Sequence, residues 1–310
     1  MVVSNVRGPF LALPNFILVG APKSGTSSLY QYLKQHPDVF MCEPKEPYFF
    51  VPAEEKEKWF ALGLKPVIGD ENYAALFDGR TSEKAVGEAS APYLFTAKTP
   101  ELISKRIPDV KLVAVLRNPI ERAYSQYNFL FRMGMERLES FEAALAEEER
   151  RFQNGAPQFL FYRRRGLYAQ QLVRYFERFD QSKMRIYLHE DLDRDAVSIT
   201  QDVFRFLEVD DSFAPDVSQR HNPTLVEQKG FADVLLSGIK KRAIKSADDG
   251  ASQTDMGIGS IRPWTEPKGK LIKPARLNKT TRESLSQYFQ EDVRKLEKLI
   301  GRNLDHWLSN

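Results

Sequence analysis

The stretch "FILVGAPKSGTSSLYQYLKQHP", Phe16 to Pro37, decides how this chain is read. With Asn15 before it, its opening is a short apolar run, the pattern of a parallel strand covered on both faces. A glycine-containing loop follows. Then "TSSLYQYLKQH" reads as a helix with Leu29, Tyr32 and Leu33 on one side, ended by Pro37. In a strand–glycine loop–helix unit, backbone N–H groups at the helix start bind phosphate oxygens. Gly20 and Gly25 have the spacing of the triphosphate loop G-x-x-x-x-G-K-[ST]. Yet Thr26 stands at the lysine position, and the lysine, Lys23, lies inside the loop. Lys23, Ser24, Gly25, Thr26, Ser27 and Ser28 are therefore candidate phosphate-binding positions, the hydroxyls as donors and Lys23 as a point charge.

Working outward, "KLVAVL" (Lys111–Leu116) is a second buried-type strand. In "RNPIERAYSQYNFLF", which follows, Asn118 fits the N-cap and Pro119 the first helical position. "MRIYLHEDL" (Met184–Leu192) reads as a third strand, and "AVSITQDVFRFL" as an amphipathic helix after it. Helical stretches cover Ser140–Arg151 and Gly166–Phe179. The alternation predicts an α/β fold, a three-layer sandwich around a mostly parallel sheet, whose ligands bind where strands end and helices begin. From about residue 240 to 276 the chain turns small, polar and glycine-rich, which predicts a loop or lid inside one domain spanning 1–310, with residues 1–14 as an N-terminal extension. "TTRESLSQYFQEDVRKLEKLI" predicts a final helix with a Thr280–Glu283 capping box. Its apolar stripe is Leu285, Tyr288, Phe289, Val293, Leu296, Leu299 and Ile300.

Bulk composition narrows the function. The chain has 310 residues, 42% of them hydrophobic, enough for a sizeable core, and a net charge of +3, too mild for a general nucleic-acid binder. A single cysteine, Cys42, excludes an internal disulfide and reads as a structural thiol, and the four scattered histidines give no metal spacing. Among these, His36 and His306 read as helix-end residues, His189 as strand packing and His221 as a capping or core residue that could compete as a base. No apolar run approaches the roughly 20 residues that span a bilayer, and the N-terminus lacks signal-peptide form, so the expected compartment is the cytoplasm.

Three further segments carry chemistry. In "LRNPIERAYSQY", Arg117 lies just outside a helix start, with Arg122 and Ser125 neighbours on the helix; arginine and serine together can grip a second phosphate. No acid ends that strand to hold Mg²⁺, so the ligand is a phosphate ester whose chemistry can do without the metal. "EPKEPYFF" (Glu43–Phe50) places two carboxylates just beyond the loop–helix unit, beside aromatics that can exclude water and raise a carboxyl pKa, as a general base requires. "EPKGKLIKP" (Glu266–Pro274) is a basic segment suited to closing over a ligand. The run Arg163–Arg165 could attract an anionic acceptor or be a solvated face.

The series "PKSGTSSL…HP…KEPYFF" followed by "RNPIERAYSQY", with "GLYAQQLVRYFERF", "LHEDL" and "FRFLEV" in order, resembles the sulfotransferase family, especially its heparan sulfate and bacterial branch. The likeness runs from Asn15 to about Trp307. It implies 3′-phosphoadenosine 5′-phosphosulfate as donor, leaving as adenosine 3′,5′-bisphosphate, with no metal. It further implies that Lys23 faces the oxygen bridging sulfur and 5′-phosphate. By the same resemblance Arg117 and Ser125, with Lys268, Gly269 and Lys270, hold the 3′-phosphate, and Glu46 is the base, with Glu43 its local competitor. There are departures: Ala89 stands where the heparan enzymes carry a lysine, and Tyr48-Phe49-Phe50 where they carry His-Phe-Phe. The cytosolic small-molecule branch uses a histidine base in this region, and none is near here. The resemblance therefore carries over the donor site and leaves the acceptor open: a hydroxyl, or as second choice an amine, of a carbohydrate, lipid or natural product. Segments Val51–Arg80 and Phe131–Arg165 would shape its pocket. The competing readings are a phosphate-loop nucleotide kinase and a non-catalytic binder of the bisphosphate nucleotide.

Overall fold

A computed structural model of the protein describes residues 13–61, 63–218 and 277–309. The expected lid, with Lys268, Gly269 and Lys270, and His221 lie outside the described residues.

The apolar runs become strands of one sheet: β1 (Phe16–Gly20), β2 (Val39–Met41), β3 (Ala85–Ala89), β4 (Lys111–Leu116) and β5 (Met184–Leu188). Their order is β2-β3-β1-β4-β5 and every pairing is parallel. Because side chains alternate along a strand, the sheet feeds two cores. Ile17, Val19, Leu112, Ala114 and Leu116 pack on one face, and Phe16, Leu18, Val113 and Val115 on the other. That double burial explains why β1 and β4 read as unbroken apolar runs.

Helices complete the layers. They are α1 (Thr26–Leu33), α2 (Ala53–Ala61), α3 (Asp70–Ala75), α4 (Thr99–Arg106), α5 (Pro119–Arg132), α6 (Phe141–Gln153), α7 (Tyr168–Phe176), α8 (His189–Arg194), α9 (Ala196–Leu207), α10 (Lys279–Ile300) and α11 (Asp305–Leu308). Leu29 and Leu33 of α1 and Val203 and Phe204 of α9 cover one face. Ile103 of α4, Ile120 of α5, Leu172 of α7 and Phe289 of α10 belong to the core on the other. Each such fully buried side chain contributes about 1.5–3 kcal/mol.

Several expectations shift. β2 and β3 were not visible as strands. β5 stops at Leu188, and His189 begins helix α8 instead of continuing the strand. The last helix starts at Lys279 and its cap is Asn278, whose side chain accepts from Thr280 N; Thr280 is thus inside the first turn and forms no capping box. Tyr288 falls off the apolar stripe, 40% exposed, with the Arg163 guanidinium over its ring.

Two caps position the ends that matter. Asn118 accepts from Ile120 N at 2.9 Å and from Glu121 N, as its place before Pro119 predicts, and so holds Arg117 at the exit of β4. The start of α7 has no side-chain cap in its own sequence. Asp292 of α10 supplies one, accepting from Ala169 N at 3.0 Å and Gln170 N at 3.3 Å.

Candidate active site

The loop after β1 is pinned to the neighbouring strand. Ala21 N donates to Val115 O at 2.7 Å, and Arg117 Nη1 to Lys23 O at 3.2 Å. β1 and β4 are adjacent, so the glycine loop and the start of α5 face one cleft. The loop's two glycines answer two constraints. A Cβ on Gly20 would lie 2.7 Å from Leu94 Cβ and 2.9 Å from Ala91 O. Gly25 has φ +96°, and a Cβ there would crowd Leu192 and His189. Thr26 and the serines after it occupy the first turn of α1, whose amide N–H groups have no intrahelical partner.

Charge in this loop awaits compensation. Burial, together with the positive charges of Arg132, Arg117 and Lys45, lowers the Lys23 ammonium from its ordinary value to about 8, against the opposing pull of Glu46. Lys23 lies over the Phe129 ring at 4.2 Å, and among the described residues no carboxylate is within ion-pair distance of it. Ser24 is fully buried, and among the described residues its Oγ makes no well-aligned hydrogen bond, with the Tyr168 hydroxyl close by. Buried polar atoms are almost always satisfied, so this orphan fits a ligand oxygen.

The loop between β2 and α2 carries Glu46. Glu46 and Tyr48 both adopt left-handed backbone, φ +66° and +56°. Lys45 Nζ donates to Glu46 Oε1 at 3.0 Å, and the Tyr48 hydroxyl donates to Oε2. Burial pushes the Glu46 carboxyl up, but the Lys45 charge and the hydrogen bonds from Tyr48 and Lys45 outweigh it and hold the carboxyl below its ordinary range. The expectation that aromatics would raise this pKa is therefore reversed: Tyr48 brings a hydroxyl as well as a ring. Glu46 also raises Lys23, so base candidate and loop cation act on each other across one cleft. Glu43 points elsewhere, 68% exposed and paired with Lys34.

Of the second phosphate motif, Arg117 and Ser125 are both partly exposed, whereas Arg122 is not on the surface at all. It is fully buried, Nη2 donating to Tyr162 O while Nε and Nη1 lack partners. Glu121 pairs with Arg282 instead of with Arg122. Arg163 and Arg164 are spent on Glu148 and Glu149. His36 is structural: its ring bonds Asp210 O and Asp38 N, both at 2.9 Å. Cys42 is a buried thiol whose pKa burial pushes up.

Three residues near the cleft stand otherwise than the sequence suggests: Arg165 reads there as part of a basic run for an acceptor or a solvated face, His189 reads as strand packing, and Glu88 has no reading. Arg165, 2% exposed, lies behind Glu46 and Tyr48 with Nε and Nη2 unpartnered. His189 closes against Gly25, its buried Nδ1 beside the Ser24 backbone and without a well-aligned partner among the described residues. Glu88 is fully buried at the end of β3 and accepts from Tyr73 Oη at 2.8 Å, Ser90 Oγ at 2.8 Å and Tyr93 Oη at 3.1 Å. Only Glu88 left a sequence signal, an acid inside "AVGEAS" with apolar neighbours. No group of three or more His, Cys, Asp or Glu among the described residues is placed to hold a metal ion.

An acid at one wall, a buried cation at the other and unpaired donors between them can bind an anionic ester and move a proton from an acceptor. Comparison with known proteins agrees in kind. The family described as Sulfotransferase domain matches residues 13–245. A crystal structure of a sulfotransferase from Alicyclobacillus acidocaldarius superposes with a TM-score of 0.70 at 33% identity, covering 96% of this chain and 100% of that one. Membrane-associated sulfotransferase kil1 of Dictyostelium discoideum is 36% identical over 40% of this chain and 24% of its own length. The bifunctional heparan sulfate N-deacetylase/N-sulfotransferase 4 of Mus musculus is 26% identical over 96% of this chain and 31% of its own length. The chain thus spans about a quarter to a third of the curated relatives it matches.

Proposed function

This chain belongs to the sulfotransferase domain family, and from that premise we propose that it moves a sulfuryl group from 3′-phosphoadenosine 5′-phosphosulfate to a hydroxyl, or secondarily an amine, of a small-molecule or glycan acceptor. The observation that carries the reading is the pairing of the buried, unneutralised Lys23 with the ionised Glu46 in one cleft at the strand ends.

Each residue has a task. Glu46 takes the acceptor's proton as the acceptor oxygen bonds to sulfur. The bond from sulfur to the 5′-phosphate oxygen breaks, and the bisphosphate leaves with that electron pair. Lys23 and the N–H groups of Ser24–Ser28 neutralise the charge that collects on the departing oxygen, where fixed donors act most strongly. Arg117 and Ser125 hold the 3′-phosphate, and Lys268, Gly269 and Lys270 join them there. Glu46 is fully charged at neutral pH because its carboxyl is held low. The carbohydrate sulfotransferases among the relatives favour a sugar acceptor. No helix among the described residues is long and apolar enough to cross a membrane.

The test is turnover with donor carrying labelled sulfate, against a panel of sugars, lipids and phenols, with and without chelator. Label transfer that survives chelation is expected. Binding of the bisphosphate with no transfer to any acceptor would leave only a nucleotide-binding role, and Mg²⁺-dependent use of ATP would point to a kinase.

A further inference from the structure

The loop that presents Glu46 is held in an unfavourable shape, and its amides show by what. Left-handed backbone costs a non-glycine residue roughly 1–2 kcal/mol, and Glu46 and Tyr48 both adopt it. Four backbone N–H groups of this segment reach β3 and the turn after it. Cys42 N donates to Gly87 O at 2.9 Å and Glu46 N to Ala89 O at 2.9 Å. Tyr48 N donates to Ser90 Oγ at 3.2 Å, and Phe50 N to Tyr93 Oη at 3.1 Å.

The last two acceptors are hydroxyls, so their lone pairs are available to the loop only if their protons point elsewhere. Both protons point to one carboxyl. Ser90 Oγ donates to Glu88 Oε2 and Tyr93 Oη to Glu88 Oε1, and Tyr73 Oη donates to Oε1 as well. We propose that Glu88 is a positioning residue for the transfer reaction: as a carboxylate it aims the Ser90 and Tyr93 hydroxyls so that their oxygens grip the amides of Tyr48 and Phe50, and so sets where Glu46 stands. The inference rests on Glu46 being the base.

A carboxylate only accepts, and three donors meet it. A carboxylic acid donates a hydrogen bond of its own; where Ser90 or Tyr93 receives it, that hydroxyl's proton must turn away and its oxygen is shared with a loop amide. Burial raises the Glu88 carboxyl to about 7, against the lowering effect of hydrogen bonds from Tyr73, Ser90 and Tyr93, with Glu46 adding a further upward push. The groups that face it are Tyr73 from α3, Ser90 and Tyr93 from the turn after β3, Tyr175 from α7, and Cys42 and Glu46 from the loop. None is a cation. With the folded value above the ordinary 4.5, the folded state holds this proton more tightly than the unfolded chain does. Stability from this group is full below the ordinary value and is lost as pH rises towards about 7. The loop needs its support in the ionised state, which is the less stable one.

The experiment compares Glu88→Gln with the unaltered protein in kcat, donor KM, bisphosphate affinity, melting temperature and the pH profile of kcat. Gln keeps the shape and puts an N–H₂ donor where an acceptor stood. The expected result is a kcat lowered roughly 10–100-fold, the size of one or two lost hydrogen bonds at a charged group, with bisphosphate affinity within about twofold. The unaltered protein should show an acid-side fall of kcat as Glu88 gains its proton near pH 7, and Glu88→Gln should lose that fall. Ser90→Ala and Tyr93→Phe should each give part of the kcat loss. The proposal is overturned if Glu88→Gln keeps kcat and the acid limb, or if it loses kcat, nucleotide affinity and melting temperature together with the limb unmoved. Glu46→Gln assayed alongside separates the two claims: its full activity removes the base itself, whereas an inactive Glu46→Gln beside an unimpaired Glu88→Gln removes only the positioning role.

Discussion

The two walls of the cleft treat polar groups in opposite ways. In the loop after β1, Lys23 has an aromatic ring and repelling cations around it, and among the described residues the buried Ser24 hydroxyl has no well-aligned partner. In the loop after β2, Glu46 takes hydrogen bonds from two side chains, and the amides beneath it reach acceptors tied to Glu88. A wall left unsatisfied is completed by what binds there; a wall satisfied in advance holds a reacting group still before anything binds. The first arrangement suits a doubly charged ester, the second a base.

The largest test of this contrast is Glu46→Gln, which should lower kcat roughly 10²–10⁴-fold, the usual worth of a general base, while calorimetry shows bisphosphate affinity unchanged. Equal loss of affinity would mean that the walls are not separable.

Lys23→Ala comes next and should act on the other wall, lowering kcat roughly 10²–10³-fold as loss of one charge-stabilising donor does, and weakening nucleotide binding as well. Because burial and nearby cations bring the ammonium to about 8, kcat/KM of the free enzyme should fall as pH rises through that value. Lys23→Arg should move this alkaline limb upward, since a guanidinium keeps its charge.

Tyr48→Phe sharpens the account of the satisfied wall. It removes a hydrogen bond that holds Glu46 low, so the lower acid-side break, the one that Glu46 sets below the Glu88 fall, should move to higher pH, with kcat falling roughly tenfold. A pH profile that stays in place would show that the ring alone matters. Lys45→Ala should shift the limb in the same direction with the smallest rate change, a few-fold at most as for a partly solvated pair, and less in high salt.

What the sequence disclosed tracks how local each cause is. β1, β4 and the start of α5 were legible because apolar runs, glycines and an Asn-Pro cap act within a few residues. β2 has three residues, too few to show a period. β3 contains a buried glutamate, which no apolar pattern tolerates; its partners Tyr73 and Tyr93 come from other elements. Glu46 is singled out as a base candidate by its motif, yet its pKa direction depends on how residues 45 to 48 turn, and left-handed backbone at Glu46 and Tyr48 leaves no compositional trace. Arg122 reads as a phosphate contact and Arg165 as part of a basic run facing an acceptor or solvent, yet both are buried, because a chain carries no mark of which arginines its helices will enclose.

Helices α10 and α11 lie beyond the stretch matched by the family, yet they are wired into the back of the cleft. Asp292 closes the N-terminus of α7, Trp307 O takes the Asn118 side chain, and Trp307 Nε1 and Arg302 reach Glu190 and Asp191 just past β5. A gene trimmed to residue 245, where the family match ends, would yield a protein with α5, α7 and α8 stripped of their outer fastenings and a greasy face open to self-association. Anyone expressing this protein should keep residues 277–309.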